Sequence, residues 1–205
     1  MSALGARRGR AAGEEWSDGW LADARRVPSP NHDRRPPGTA VDLVVVHSIS
    51  LPPGVYDGDA IEQLFLNRLD WDAHPYYAGI RGLRVSAHFL VRRDGMPVQF
   101  VSCDERAWHA GKSTWRGREA CNDYSIGIEL EGLEGETFEA AQYAALGALL
   151  QPLARRYPIA AVAGHEHVAP GRKHDPGPGF DWARLASALT GPARRLRRAL
   201  AGLDR

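Results

Sequence analysis

The chain has 205 residues, 43% of them hydrophobic and 25% charged, and carries a formal net charge of +1 at pH 7. That balance suits one globular domain with a real core, and it excludes a global field that would recruit nucleic acid or an anionic membrane. Two cysteines, Cys103 and Cys121, make no disulfide framework, and no apolar run approaches the roughly 18 residues of a membrane span. The N-terminal stretch has arginines with no apolar core behind them, so no secretory signal is expected and the expected compartment is the cytoplasm.

Residues 1–18 are rich in Arg, Gly, Ala and Glu without a period, which predicts a flexible arm ahead of a domain over 19–187. The Pro-rich segment 27–39 predicts an extended wrap on the surface. Residues 41–50 (VDLVVVHSIS) are nearly continuous β-branched positions, as in a strand buried on both faces. Residues 60–69 space Ile61, Leu64, Phe65 and Leu69 as on a helix face. Over 85–102, the Asp94-Gly95 pair joins two alternating segments and predicts a hairpin.

Residues 125–130 alternate, with Ile126, Ile128 and Leu130 on one side and Gly127 and Glu129 on the other. An amphipathic helix is expected over 137–157, with Thr137 as N-cap and a kink or early end at Pro152. Residues 160–165 suggest a last short strand. Residues 181–204 are helical in pattern, and 188–205 read as a basic, solvated tail. The expected fold class is α/β: a single domain with a mixed central sheet flanked by helices.

Chemistry concentrates in GHEHVAPGRKHDPGPGFDW, residues 164–182, which breaks at a Pro-Gly turn. His47 ends a buried strand, and His165 ends another and opens this loop. A lone buried histidine is more often a hydrogen-bonded core residue than a ligand. Two imidazoles with Asp175 before a stiff turn instead suggest a three-ligand zinc site with one open position. Spacing alone supports this weakly, because no HExxH or CxxC motif is present. Glu129 in mid-strand is either solvent-facing or a general base. Glu131 and Glu134 read as solvated acids. Lys173 reads as a surface lysine, or as an oxyanion stabiliser if the loop holds a metal. Cys121 is read as a buried thiol rather than a nucleophile.

Four segments carry a resemblance: VVVHSISLPPG, HPYYAGIRGLRVSAHFLVRRDG, RAWHAGKSTWRGREACNDYSIGIELEG and GHEHVAPGRKHDPGPGFDW. In this order they resemble the type-2 N-acetylmuramoyl-L-alanine amidases, over about residues 19–187, and most of all the cytosolic enzymes of peptidoglycan recycling. The resemblance implies a zinc hydrolase that cleaves the amide between the lactyl group of 1,6-anhydro-N-acetylmuramic acid and L-alanine. The implied substrate is an anhydro-muropeptide; a monomer is expected, and the charge balance and hydropathy lead to neither nucleic acid nor membrane as partner. The implied zinc ligands are His47, His165 and Asp175, the general base is Glu129, and Lys173 stabilises the tetrahedral intermediate.

Tyr76 and Trp108 match residues near the site and along the substrate groove. His109 is left evenly between a site role and a structural one. His167 and His174 are assigned to the surface or to an outer shell. Ser48 stands where relatives commonly carry Asn, and Ala120 where an arginine suits a stem-peptide carboxylate. That recognition then falls to Arg84, Arg116 or Arg118. Three other readings compete: a zinc-free peptidoglycan-binding module, an amidase acting on intact wall, and a cysteine amidase using Cys121.

Overall fold

The computed structural model describes residues 15–200. Six strands form the main sheet: β1 (Arg25–Arg26), β2 (Leu43–Ile49), β3 (Phe89–Val91), β4 (Pro97–Gln99), β5 (Ser125–Glu131) and β6 (Ala161–Gly164). Their order across the sheet is β6-β2-β5-β3-β4-β1. β2 is parallel to both β5 and β6, and β5 is parallel to β3, whereas the β3–β4 hairpin is antiparallel. The sheet is therefore mixed, as the sequence predicts.

Side chains alternate across a strand, so each strand divides its residues between two faces. Val44 and Val46 of β2 and Ile126, Ile128 and Leu130 of β5 pack with Leu146, Leu150 and Leu153 of the Ala140–Arg156 helix. The other face carries Val45 and His47 on β2 and Gly127 and Glu129 on β5, in register as Gly127↔Val45 and Glu129↔His47. β6 runs beside β2 with Gly164↔Val46, so His165 emerges level with His47. Parallel strands thus deliver three polar side chains to one edge of the sheet, where α/β folds bind ligands.

Several boundaries differ from expectation, each for a local reason. The first helix spans Ala60–Phe65 and stops short of Leu69. Asn67 takes φ 58, and its side chain exchanges hydrogen bonds with the Asn31 amide, which draws the chain out of the helix. The long helix starts at Ala140, and Glu139 rather than Thr137 is its N-cap, its backbone N–H bonded to Gln142 Oε1 at 3.0 Å. Pro152 lies within that helix, which continues to Arg156.

The basic C-terminal segment is no solvated tail within the described residues. Leu189, Ala193, Leu196 and Leu200 are buried in the same core cluster as Leu146, Leu150 and Leu153 of the Ala140–Arg156 helix. Thr190-Gly191-Pro192 interrupts the helical pattern after Ala188. Of the expected flexible arm, residues 1–14 lie outside the described residues. Residues 16–17 pair with 20–21, and the Trp16 ring meets Tyr157 edge-on at 6.0 Å. The Pro-rich wrap adds a short ladder, His32–Arg34 against Glu105–Ala107. Among the described residues no helix is long and apolar enough to cross a membrane.

Glu131 corrects another expectation, since it is buried rather than solvated. It accepts from Arg92 Nη1 at 2.8 Å and from the Asp57 and Arg93 backbone N–H groups at 3.1 and 3.3 Å. These bonds tie the end of β5 to the loop at 57 and to the hairpin. Removing Glu131 leaves the Asp57 and Arg93 N–H groups without this acceptor, at about 1–3 kcal/mol, while Arg92 keeps Glu62 at 2.6 Å and the Gly58 carbonyl at 2.7 Å. Glu131→Ala should therefore lose about that much in urea unfolding at neutral pH. A loss under about 1 kcal/mol would show these bonds to be energetically equivalent to a surface contact.

Candidate metal centre and cleft

His47, His165 and Asp175 converge. Nδ1 of His47 lies 2.9 Å from Nδ1 of His165, and Oδ2 of Asp175 lies 3.2 and 3.1 Å from the two nitrogens. These three residues could hold a metal ion. Ligand atoms about 2.0–2.1 Å from a tetrahedral zinc sit about 3.3 Å apart, so the spacing of this triangle fits the ion. The donor set, two imidazoles and one carboxylate, fits it as well.

The loop geometry follows from the sequence. Glu166 N–H donates to the Asp175 carbonyl at 2.9 Å, which closes the loop on itself and turns Asp175 back toward His165. Gly177 takes φ 80, a conformation open to glycine without strain. His167 is not in the ligand group; its Nδ1 accepts from Gly164 N–H at 2.8 Å and its ring meets Trp182 edge-on. His174 is exposed and also lies outside the group.

Electrostatics separate the roles of these residues. Burial and then the neighbouring His165 push His47 down to about 4, so its imidazole is neutral at pH 7. Burial alone would raise the Asp175 carboxyl, but its contacts with His165 and His47 outweigh this and hold it below the usual carboxylate range. Glu129 behaves oppositely. Burial, reinforced by the Asp175 charge, pushes it well above the ordinary value. Its Oε2 is buried and has no hydrogen-bond partner. A carboxyl that is buried, unsatisfied and raised is costly, and such groups cluster where proton transfer is needed.

These residues line one cleft of about 590 Å³. Lys173 lines it from the loop, and Tyr76, Arg84 and Trp108 are also on its wall. Of the three arginines proposed for the peptide end, only Arg84 is on the cleft wall. Arg118 is paired with Asp42 and stacks on Tyr124, and Arg116 lies over Trp115. Ser48 lines the cleft, and its buried Oγ is without a partner. Ala120 and Cys121 are not part of the lining, and Cys121 Sγ lies 3.2 Å from the Tyr124 hydroxyl. The cysteine amidase has no support in that placement.

Ala110, Asn122 and Arg172 also line the cleft, and sequence reasoning did not single them out. Gly127 in mid-strand is a usable signal for the close approach of another group. A Cβ there would lie 2.4 Å from the His109 ring.

A mixed α/β sheet that sets two imidazoles and a carboxylate beside an unpartnered acid has the layout of a metal-assisted hydrolase. The chain belongs to the N-acetylmuramoyl-L-alanine amidase family, which matches residues 37–178, and it is an amidase. It is 56% identical over 175 residues to the 1,6-anhydro-N-acetylmuramyl-L-alanine amidase AmpD of Citrobacter freundii, covering 84% of this chain and 94% of that one. A crystal structure of a selenomethionine AmpD derivative matches with a TM-score of 0.82 at 56% identity, covering 85% of this chain and 98% of the other. AmiD from E. coli was solved in complex with the substrate anhydro-N-acetylmuramic acid-L-Ala-D-gamma-Glu-L-Lys. It matches with a TM-score of 0.54 at 31% identity, over 77% of this chain and 62% of AmiD.

Proposed function

We propose that this cleft hydrolyses the amide between the lactyl group of 1,6-anhydro-N-acetylmuramic acid and L-alanine of peptidoglycan stem peptides. The setting is cell-wall recycling in the cytoplasm, carried out by a monomer with zinc at His47, His165 and Asp175. The activity named for AmpD, at 56% identity over most of the chain, supports the substrate. The observation that carries the chemistry is the buried, unpartnered Glu129 carboxyl beside the three converging ligand atoms.

Bound zinc would supply Lewis acidity, acidifying a water and polarising the scissile carbonyl. Glu129 takes a proton from the attacking water as the new C–O bond forms. Burial raises its proton affinity above that of an ordinary glutamate, which suits a group that must take up a proton and return it. The same carboxyl returns the proton to the alanine nitrogen as the C–N bond breaks. The products are the lactyl carboxylate and the free peptide amine. Lys173, on the loop between His165 and Asp175, places a positive charge toward the oxyanion that forms. Tyr76, Trp108 and Arg84, on the wall of the same cleft, receive sugar and peptide.

One oxyanion donor accounts for roughly 100- to 1,000-fold in kcat, so Lys173→Ala should lose about that much with KM little changed. Near-full activity in that variant would remove Lys173 from the mechanism. The substrate itself is tested by mass spectrometry of purified protein acting on 1,6-anhydroMurNAc-L-Ala-D-Glu-meso-diaminopimelate, with chelator and then with zinc restored. Release of the intact peptide, abolished by the chelator and recovered with zinc, is expected. Cleavage of whole sacculi in preference to the fragment would overturn the recycling assignment.

A further inference from the structure

Both ligand histidines have a second ring nitrogen, and one short segment faces both. His165 Nε2 lies 3.2 Å from the Ala110 carbonyl. A carbonyl only accepts, so this contact calls for a proton on Nε2. A neutral ring has one such proton, and Nδ1 is left bare toward the ligand triangle. The Ala110 carbonyl is itself held in place by Arg172, whose Nη2 donates to it at 2.6 Å.

His47 is treated in the same way through a longer relay. Ser125 Oγ donates its single hydrogen to the Cys121 carbonyl at 2.6 Å. It is then an acceptor for His109 Nε2, 3.2 Å away. With that proton on Nε2, His109 Nδ1 is a lone pair, and it lies 2.9 Å from His47 Nε2. His47 accordingly carries its proton on Nε2 and leaves Nδ1 bare. A backbone carbonyl thus sits at the far end of both chains, and each sets the direction of every hydrogen bond back to the ligand triangle.

The segment that does this is rigidly seated. Asn122 Oδ1 accepts from the backbone N–H groups of His109 and Ala110 at 3.2 and 2.8 Å. The missing side chain of Gly127 makes room for the His109 ring. His109 is buried and lies edge-on to His47 at a centroid distance of 5.0 Å.

We propose that His109 and the Ala110 carbonyl, clamped by Asn122 and Arg172, form a shared outer shell that fixes the Nε2–H tautomer of both His47 and His165. His109 is a positioning residue: it acts through His47 and does not touch substrate. The inference rests on the metal-centre reading above. Outer partners of metal-bound histidines fix ring orientation and tautomer, and their loss typically weakens metal binding about 10- to 100-fold.

The direct test is a long-range ¹H–¹⁵N spectrum of the zinc-loaded full chain with labelled histidines. Nε2–H is expected on His47, His165 and His109, with zinc-perturbed Nδ1 on the first two. A proton on Nδ1 of His47 or of His109 would overturn the relay. Zinc affinity, measured by competition with a chromophoric chelator, gives a second readout. His109→Leu should bind about 10- to 100-fold more weakly, and His109→Asn, which keeps an acceptor near the Nδ1 position, should recover most of the loss. Wild-type affinity in a folded His109→Leu would also overturn it. Failure of the wild-type chain to take up zinc would instead overturn the metal centre itself, and is told apart because it needs no variant.

Discussion

Glu129→Gln is expected to lose roughly 100- to 10,000-fold in kcat, the range typical of a missing general base, while still binding one zinc. The argument combines position and environment. Glu129 pairs in register with His47, so the sheet itself fixes its distance from the ligands. Its Oε2 has no partner, which leaves a proton-accepting atom in a cleft wall at a cost to stability. The amide keeps the shape and removes the proton affinity. If zinc is lost together with turnover, Glu129 is a ligand or a structural group and its assignment as base is wrong.

A second readout comes from stability in metal-stripped protein. The folded carboxyl holds its proton to higher pH than the unfolded one. As pH rises through the unfolded value of about 4.3, the unfolded state releases its proton first, so unfolding is increasingly favoured. The sign is therefore destabilising on going from acid toward neutral. Glu129→Gln removes that term, and its stability relative to wild type should increase over the same interval. Parallel stability–pH curves for the two proteins would show that the carboxyl is not strained.

Much of this arrangement is legible in the chain because it follows local rules. β2 announces itself by a run of β-branched residues, the hairpin by Asp94-Gly95, and the face of Glu129 by its alternation with Ile126 and Ile128. The convergence of His47, His165 and Asp175 is legible because one histidine lies two residues before the end of a buried strand, another directly follows a strand, and a stiff turn follows Asp175. Tertiary partners decide what the pattern conceals. Glu131 continues an acidic run that looks solvated, yet Arg92 reaches it from the hairpin, 39 residues earlier in the chain. The basic C-terminus looks like a tail, yet its leucines are buried in the core cluster of the Ala140–Arg156 helix. His109 has no local signal of its own. Its role depends on Gly127, Ser125 and His47, which reach it only through the sheet register and the 109–122 loop.

Asp175→Asn is expected to weaken zinc binding by more than the roughly 100-fold upper range for an outer-shell loss, because it removes the anionic ligand itself. Detectable cleavage should disappear with it. The substitution keeps the side chain's size and its turn, so the loop closure through the Asp175 carbonyl and Glu166 N–H is retained. It therefore separates metal holding from folding. The alternative is an acid that only orients an imidazole, with no metal in the cycle. That alternative predicts unchanged zinc uptake in Asp175→Asn and no effect of a chelator on the wild type. Thermal unfolding decides between them without any activity assay. A ligand that binds only the folded state adds about 2.7 kcal/mol at one hundred times its Kd, so wild type should show a clear rise in Tm with zinc. Asp175→Asn should show little or none at the same concentration. An equal rise in both proteins would place the metal, if it binds, somewhere other than between His47, His165 and Asp175.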